Sequence, residues 1–244
     1  MKRSIAGCTA LALVIQAFGM TGEEILAKMD LNRDHSTITA NATMKIRIGD
    51  EVRTKSMTIK GITRGNKSVV EFTNPEDKGT KFLMLGNDLW IYFPDEQDVV
   101  KISGHLLKEG MMGSDVSYED ALEADKLSEK YAITLAGEDT LDGRSCYVVD
   151  LQGKVRNVPY YHRKMWVGKD DFVAWKEEMY AKSGKLLKVA KVLAVKKTGR
   201  RMIPVKSVME NKLRNNSSTE FAMNDIAFDT PLDDALFTMR YLRR

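Results

Sequence analysis

Two apolar runs, 82–85 and 89–93, stand on either side of Gly86-Asn87-Asp88, and neither alternates with polar residues. A tight turn between β-prone runs predicts a hairpin. An antiparallel strand with one wet face alternates, so an unbroken run predicts that both faces are covered, by protein or by ligand. After Pro94 the segment 98–103 reads as a third strand. Leu106, Leu107, Met111 and Met112 then fall among glycines with no helical or strand period. Flexible thioethers on a glycine-rich loop suit an adaptable apolar contact, and equally suit a loop that plugs its own core.

The rest of the chain is strand-like on both sides of this stretch. Runs 38–48, 52–64 and 67–72 precede it, with Met44, Ile46 and Ile48 alternating with Thr43, Lys45 and Arg47, and with Gly49-Asp50 and Gly65-Asn66 as turns. Those strands have a wet face. Runs 131–138, 145–151, 164–167, 173–180, 186–196, 201–210 and 219–228 follow it, punctuated by Asp142-Gly143, Gly168-Lys169-Asp170 and Ser183-Gly184. At least ten strand candidates with few helices predict a sandwich, barrel or curled sheet.

Helices are few and short. Thr21 and Glu24 have the spacing of a reciprocal cap, and Ile25, Leu26 and Met29 fall on one helical face, which must rest on the sheet. The segment 121–130 is a second candidate, with Ser117 as its cap and Leu122 and Leu127 inward. The nearby carboxylates Asp115, Glu119, Asp120, Glu123 and Asp125 suit a helix start better than a calcium cage, because the alternating ligands and glycine of a dedicated loop are missing. Pro231 opens a brief final helix over 233–237.

Met1-Lys2-Arg3, an apolar segment over 5–15 and Ala17-Phe18-Gly19 have the order of a secretory signal peptide over residues 1–19, which leaves one domain over 20–244. Export is the expectation. Ile5-Ala6-Gly7-Cys8 has the look of a lipoprotein cleavage box, but the apolar region lies on the wrong side of Cys8, so lipidation there is not expected. Cys146 is then the sole cysteine of the processed chain and is expected to be a small buried residue. Without Lys2 and Arg3 the chain has 36 basic and 34 acidic side chains, a balance that argues against nucleic acid as a partner. Basic clusters at Arg214, Arg240, Arg243 and Arg244 and over 196–201 read as solvated surface before they read as contacts to lipid head groups.

The wording of the central stretch, GTKFLMLGNDLWIYFPD followed by KISGHLLKEGMMGSDVSYEDAL, resembles the bacterial outer-membrane lipoprotein-sorting proteins, relatives of the periplasmic LolA-type carriers. The resemblance continues through GEDTLDGRSCYVVDL, the Trp166 and Trp175 strands, SGKLLK, RRMIPV and DIAFDTPLDDALFTMRYL, and so covers nearly the whole chain after residue 19. It implies a mainly β fold with a few short helices: an unclosed antiparallel β barrel, or half barrel, whose concave face is covered by helices. It also implies an apolar cavity between them for the acyl chains of lipoproteins or phospholipids.

An enzyme needs reactive groups, and the only histidines are His35, His105 and His162, none in a metal-ligand spacing. Phosphate cradles and nucleophile elbows are missing. The best catalytic set is Ser114 with His105 and Asp115, a lipid-ester hydrolase by serine chemistry, although Gly-Ser-Asp before a helix is equally a cap. A periplasmic adaptor that docks a membrane exporter is a further alternative. The favoured expectation is a carrier without cofactor or metal that shelters acyl chains and shuttles them towards the outer membrane, with an inner-membrane exporter and an outer-membrane acceptor as partners. Burial at about 0.8 kcal/mol per methylene drives such binding. The candidate lining residues are Phe82, Met84, Trp90, Tyr92, Leu107, Met111, Met112 and Trp175, with strand parity open.

Overall fold

A computed structural model describes residues 19–63, 65–122 and 127–244. Residues 1–18 of the expected signal peptide, Cys8 among them, lie outside the described residues. The first element is helix α1 (Gly22–Leu31), closed at its start by a reciprocal cap in which Thr21 Oγ1 accepts from the Glu24 amide and Glu24 Oε2 accepts from the Thr21 amide. A first meander follows: β1 (Thr37–Ile48), β2 (Glu51–Ile62), β3 (Lys67–Phe72), β4 (Lys81–Leu85), β5 (Asp88–Phe93) and β6 (Asp98–Ile102). After a connecting segment with two short helices, α2 (Tyr118–Ala121) and α3 (Leu127–Lys130), comes a second meander. It comprises β7 (Tyr131–Leu141), β8 (Arg144–Gly153), β9 (His162–Gly168), β10 (Ala174–Tyr180), β11 (Leu186–Thr198), β12 (Arg201–Asn211) and β13 (Ser217–Phe228). A single 3-10 turn over Asp234–Phe237 and α4 (Met239–Leu242) end the chain.

All strands join one antiparallel sheet of 13 in the order β6-β5-β4-β3-β2-β1-β13-β12-β11-β10-β9-β8-β7. The meanders meet where β1 pairs with β13, for example Met44 opposite Phe221. β6 and β7 stand at opposite edges and do not pair, so the sheet is an unclosed barrel. Bulges at 39–41 against β13, at 192–195 in β11 and at 135–137 in β7 bend the ladder. Because β6 and β7 are consecutive in sequence, their connection has to cross the full width of the sheet, and its residues 103–122 and 127–130 lie over the inner face.

Strand parity now follows. Phe82 and Met84 on β4, with Leu89, Ile91 and Phe93 on β5, face inward into a cluster with Ala42, Met44, Met57 and Phe72, and Leu107, Met111, Met112, Tyr118 and Leu122 close it from above. Leu83 and Leu85, with Trp90 and Tyr92, face outward, where Phe237, Tyr241 and Leu242 of the chain end cover them. The unbroken apolar runs are therefore strands covered on both faces, one by the crossing segment and the other by the C-terminal helices. Each fully buried large side chain there contributes about 1.5–3 kcal/mol. A third cluster seats α1: Ile25 and Leu26 pack on Tyr131, Val149, Leu151, Met165 and Val167.

The structure differs from the sequence reading in its helices. The candidate over 121–130 begins earlier, at Tyr118, because Ser117 and Asp120 form a reciprocal cap there. Residues 123–126 lie outside the described residues, and the last element at Met239–Leu242 follows the expected 233–237 turn as a separate turn capped by Thr238.

The crossing segment is held to itself by tight backbone contacts. Gly110 bridges Ser117, and the Met111 amide donates to the Val116 carbonyl at 2.8 Å. A Cβ added to Gly110 would lie 2.0 Å from the Ser114 carbonyl oxygen, which is backbone and cannot swing aside. Gly110→Ala is therefore expected to destabilise the protein by about 1–3 kcal/mol in chemical denaturation, the usual cost of forced overpacking. An unchanged midpoint would show that this loop is not rigid.

Candidate functional site

Two carboxylates fix the crossing segment over the sheet. Asp115 is 2% exposed; its carboxylate accepts from Ser217 Oγ at 2.5 Å and Thr219 Oγ1 at 2.9 Å, and its amide donates to Thr219 Oγ1 at 2.9 Å. That ties the loop to the start of β13. Five residues later Asp120 accepts from Tyr160 OH at 2.6 Å and from Lys188 Nζ at 2.6 Å, in addition to the Ser117 amide at 2.8 Å. That ties α2 to β11. Burial alone would raise the Asp120 carboxyl, but the Lys188 ammonium and these hydrogen bonds outweigh it and hold the group below its usual range. Burial followed by the Asp120 charge pushes the Tyr160 phenol far up, so it stays protonated and donates to Asp120. Arg163 and Glu177 pair on the same inner face, and Tyr131 OH donates to the Tyr160 carbonyl at 2.9 Å.

Beyond this pinned portion, the inner face is not filled. A cavity of about 1010 Å³ lies between α1, the crossing segment and the sheet, near the end where β1 begins and β13 finishes. Its apolar floor comes from Ile38, Ile62, Met84, Ile203, Met223 and Phe228, and Leu122 and Leu127 form the opposite wall. α1 supplies Ala27, Asp30 and Leu31, and the α1 to β1 linker supplies Arg33, Asp34 and His35. Leu31 is 63% exposed, the largest exposure among the large apolar side chains of the described residues, and it stands on this cavity.

The linker is latched to several strand ends. Asn32 Nδ2 donates to the Asp171 and Phe172 carbonyls at 2.8 and 3.2 Å, and Asn32 Oδ1 accepts from the Met202 amide at 2.8 Å. Asp229 accepts from the Ser36 amide at 2.7 Å and from Arg201 Nη2 at 3.0 Å, and Arg201 Nη1 donates to the Asp34 carbonyl at 2.8 Å. The Ser36 amide first, then Arg201, lower the Asp229 carboxyl from 3.8 to about 2.

Among the side chains picked out from sequence, the structure brings Phe82, Met84, Leu107, Met111 and Met112 together on the inner face, and of these Met84 lines the cavity. Phe82 lies fully buried beneath the crossing segment. Trp90 and Tyr92 stand on the opposite face of the sheet under the C-terminal helices. Trp175 sits by the β9 to β10 turn, its indole N–H donating to Asp171 Oδ2 at 3.0 Å and the Arg144 guanidinium 4.0 Å over its ring. Ile38, Ile62, Leu122, Ile203, Met223 and Phe228 escaped sequence reasoning because they meet only through the β1 to β13 pairing and the returning loop.

Ser114, Asp115 and His105 are not assembled for catalysis. Ser114 Oγ is spent on Val116, donating to its carbonyl at 3.1 Å and accepting from its amide at 3.2 Å, and Asp115 is spent on β13. His105 is exposed on a short turn, and among the described residues no hydrogen bond joins it to either. Among the described residues no group of His, Cys, Asp or Glu is placed to hold a metal, and no helix is long and apolar enough to cross a membrane.

A family model described as "-like: Uncharacterized protein" matches residues 64–244. A solved DUF1329 family protein from Desulfovibrio piger is similar at a TM-score of 0.85 and 27% identity, covering 91% of this chain and 97% of that one. An outer membrane lipoprotein-sorting protein domain from Vibrio parahaemolyticus is similar at 0.81 and 25%, covering 91% and 98%, and a LolA superfamily protein from Nitrosomonas europaea at 0.75 and 26%, covering 91% and 100%. The chain belongs to the family of that model, and its fold is that of the outer membrane lipoprotein-sorting and LolA superfamily structures. No curated protein is significantly similar in sequence. The half barrel expected from the family's wording is the fold observed, and the cavity of this LolA-like chain lies between its sheet and covering helices.

Two outcomes follow from the pins and latch. Asp120→Ala strands the Lys188 ammonium in a buried site and is expected to cost about 3–5 kcal/mol in denaturant unfolding; a loss below 1 kcal/mol would show that Lys188 reaches water. The lowered Asp229 carboxyl contributes stability that is complete above pH 3.8 and lost as pH falls towards about 2. The gap in thermal midpoint between wild type and Asp229→Asn is therefore expected to close over that window, and a gap independent of pH would contradict the latch.

Proposed function

We propose that this chain is a periplasmic carrier that takes acyl chains of lipoproteins or other lipids into its cavity and moves them towards the outer membrane. The observation that carries this reading is the cavity of about 1010 Å³ with an apolar floor and wall, which exceeds or matches the upper range of small-molecule pockets, about 300–1,000 Å³. Leu31 supports it, since a large apolar side chain at the mouth gains cover only when something apolar enters. The family relation supports a carrier in general.

Binding needs no internal energy source. Each methylene moved from water to the cavity contributes about 0.8 kcal/mol, so a chain of a dozen or more methylenes outweighs the cost of ordering it. Release then depends on an acceptor that buries the chain equally well. Partners at the inner and outer membranes, an exporter and an acceptor, belong to this proposal.

The test is retention of a fluorescent fatty acid by the purified protein. Met223→Lys places a charge on the cavity floor at a half-buried position, and is expected to weaken retention by at least about tenfold with the far-ultraviolet circular dichroism unchanged. Equal retention by wild type and Met223→Lys would remove the cavity as the acyl site.

A further inference from the structure

The mouth of the cavity is polar in an uneven way. His35 Nδ1 is buried with no hydrogen-bond partner, although the imidazole lines the cavity and packs edge-on against Phe228 at 5.1 Å. An unmet buried nitrogen costs free energy unless something that binds there meets it. Burial first, and then Arg201, lower the His35 pKa, so the ring is a neutral hydrogen-bonding group at neutral pH rather than a charge.

The charges around it divide into spent and unspent. Arg201 is paired with Asp229 and Lys67 with Asp234, whereas among the described residues Arg33, Asp30 and Glu129 form no ion pair although all three line the cavity. Asp30 and Arg33 share the last turn of α1 and its exit, where the Arg33 amide donates to the Asp30 carbonyl at 3.0 Å. Glu129 lines the same cavity from α3, which packs against α1. One guanidinium, one neutral imidazole and the two carboxylates of Asp30 and Glu129 thus line an apolar hollow.

Resting on the carrier reading, we infer that the cavity mouth is a head-group site for a zwitterionic phospholipid, with Arg33 and His35 on the phosphodiester and Asp30 and Glu129 on the ammonium. A guanidinium matches a phosphate oxygen pair in geometry as well as charge, and a carboxylate matches an ammonium. A purely anionic head group would satisfy Arg33 and be repelled by the two carboxylates. An uncharged glyceride would leave the whole ring unmet.

The experiment loads the purified protein from dispersions of phosphatidylethanolamine, phosphatidylglycerol or diacylglycerol with matched acyl chains, or from a triacylated cysteinyl peptide, and quantifies bound lipid after gel filtration. Phosphatidylethanolamine is expected to load about tenfold better than the other three, the scale of a charge-assisted pair. Arg33→Ala and the double change Asp30→Asn, Glu129→Gln are expected to erase that preference, with a far-ultraviolet circular dichroism spectrum like that of wild type showing that the variants fold. Loading of phosphatidylglycerol, diacylglycerol or peptide as good as that of phosphatidylethanolamine overturns the head-group site and leaves the carrier standing. Failure of every lipid to load overturns the carrier and the head-group site together.

Discussion

The architecture depends on one geometric constraint: β6 and β7 are neighbours in the chain and occupy opposite edges of a 13-stranded sheet. The connection must travel the sheet's full width, and on the inner face it becomes the cover of the half barrel. A long irregular segment has many backbone groups to satisfy and much freedom to lose. Asp115 and Asp120 resolve both problems at points five residues apart, one through hydroxyls on β13 and the other through an ammonium on β11. Between and before them, Leu107, Met111 and Met112 settle onto the greasy end of the sheet.

That arrangement divides the interior into a filled part and an open part. Under the pinned loop the inward side chains Met44, Met57, Phe72, Phe82 and Ile91 are packed to near-complete burial, with Phe72 and Phe82 in edge contact at 5.2 Å. Past the pins, α1 and the end of the crossing segment stand off from Met223 and Phe228 and leave the hollow. The α1 exit is fastened by Asn32 and by the Arg201 and Asp229 pair, so the wall of the hollow is held from the sheet's end rather than by packing across it. On the carrier reading, a wall of this kind admits apolar cargo without disturbing the core.

Much of the fold was legible in the sequence because strand and turn signals are local. The capped first helix, the hairpins and the meander on each side of the central stretch follow from alternation and from dipeptides such as Gly49-Asp50 and Asp142-Gly143. The double-sided burial of 82–93 was legible too, since alternation failed there, but the identity of the outer cover was not: Phe237 and Leu242 reach Leu83 and Trp90 from the other end of the chain. Parity explains the candidate site. Over 82–85 and 89–93 every residue is apolar or aromatic, so no polar partner marks which side is which, and Trp90 and Tyr92 look the same in sequence as Phe82 and Met84. Ile38 and Phe228 carried no local signal because a pairing between the first and last strands brings them together.

The central claim is that apolar chains occupy the hollow beside Met84 and Met223, and methyl resonances report on it directly. In a titration with a spin-labelled fatty acid, the methyl signals of Met84 and Met223 are expected to broaden first and most strongly, while those of Met165 and Met179, packed under other parts of the sheet, persist. Broadening confined to methyls elsewhere, or none at saturating fatty acid, would contradict the account.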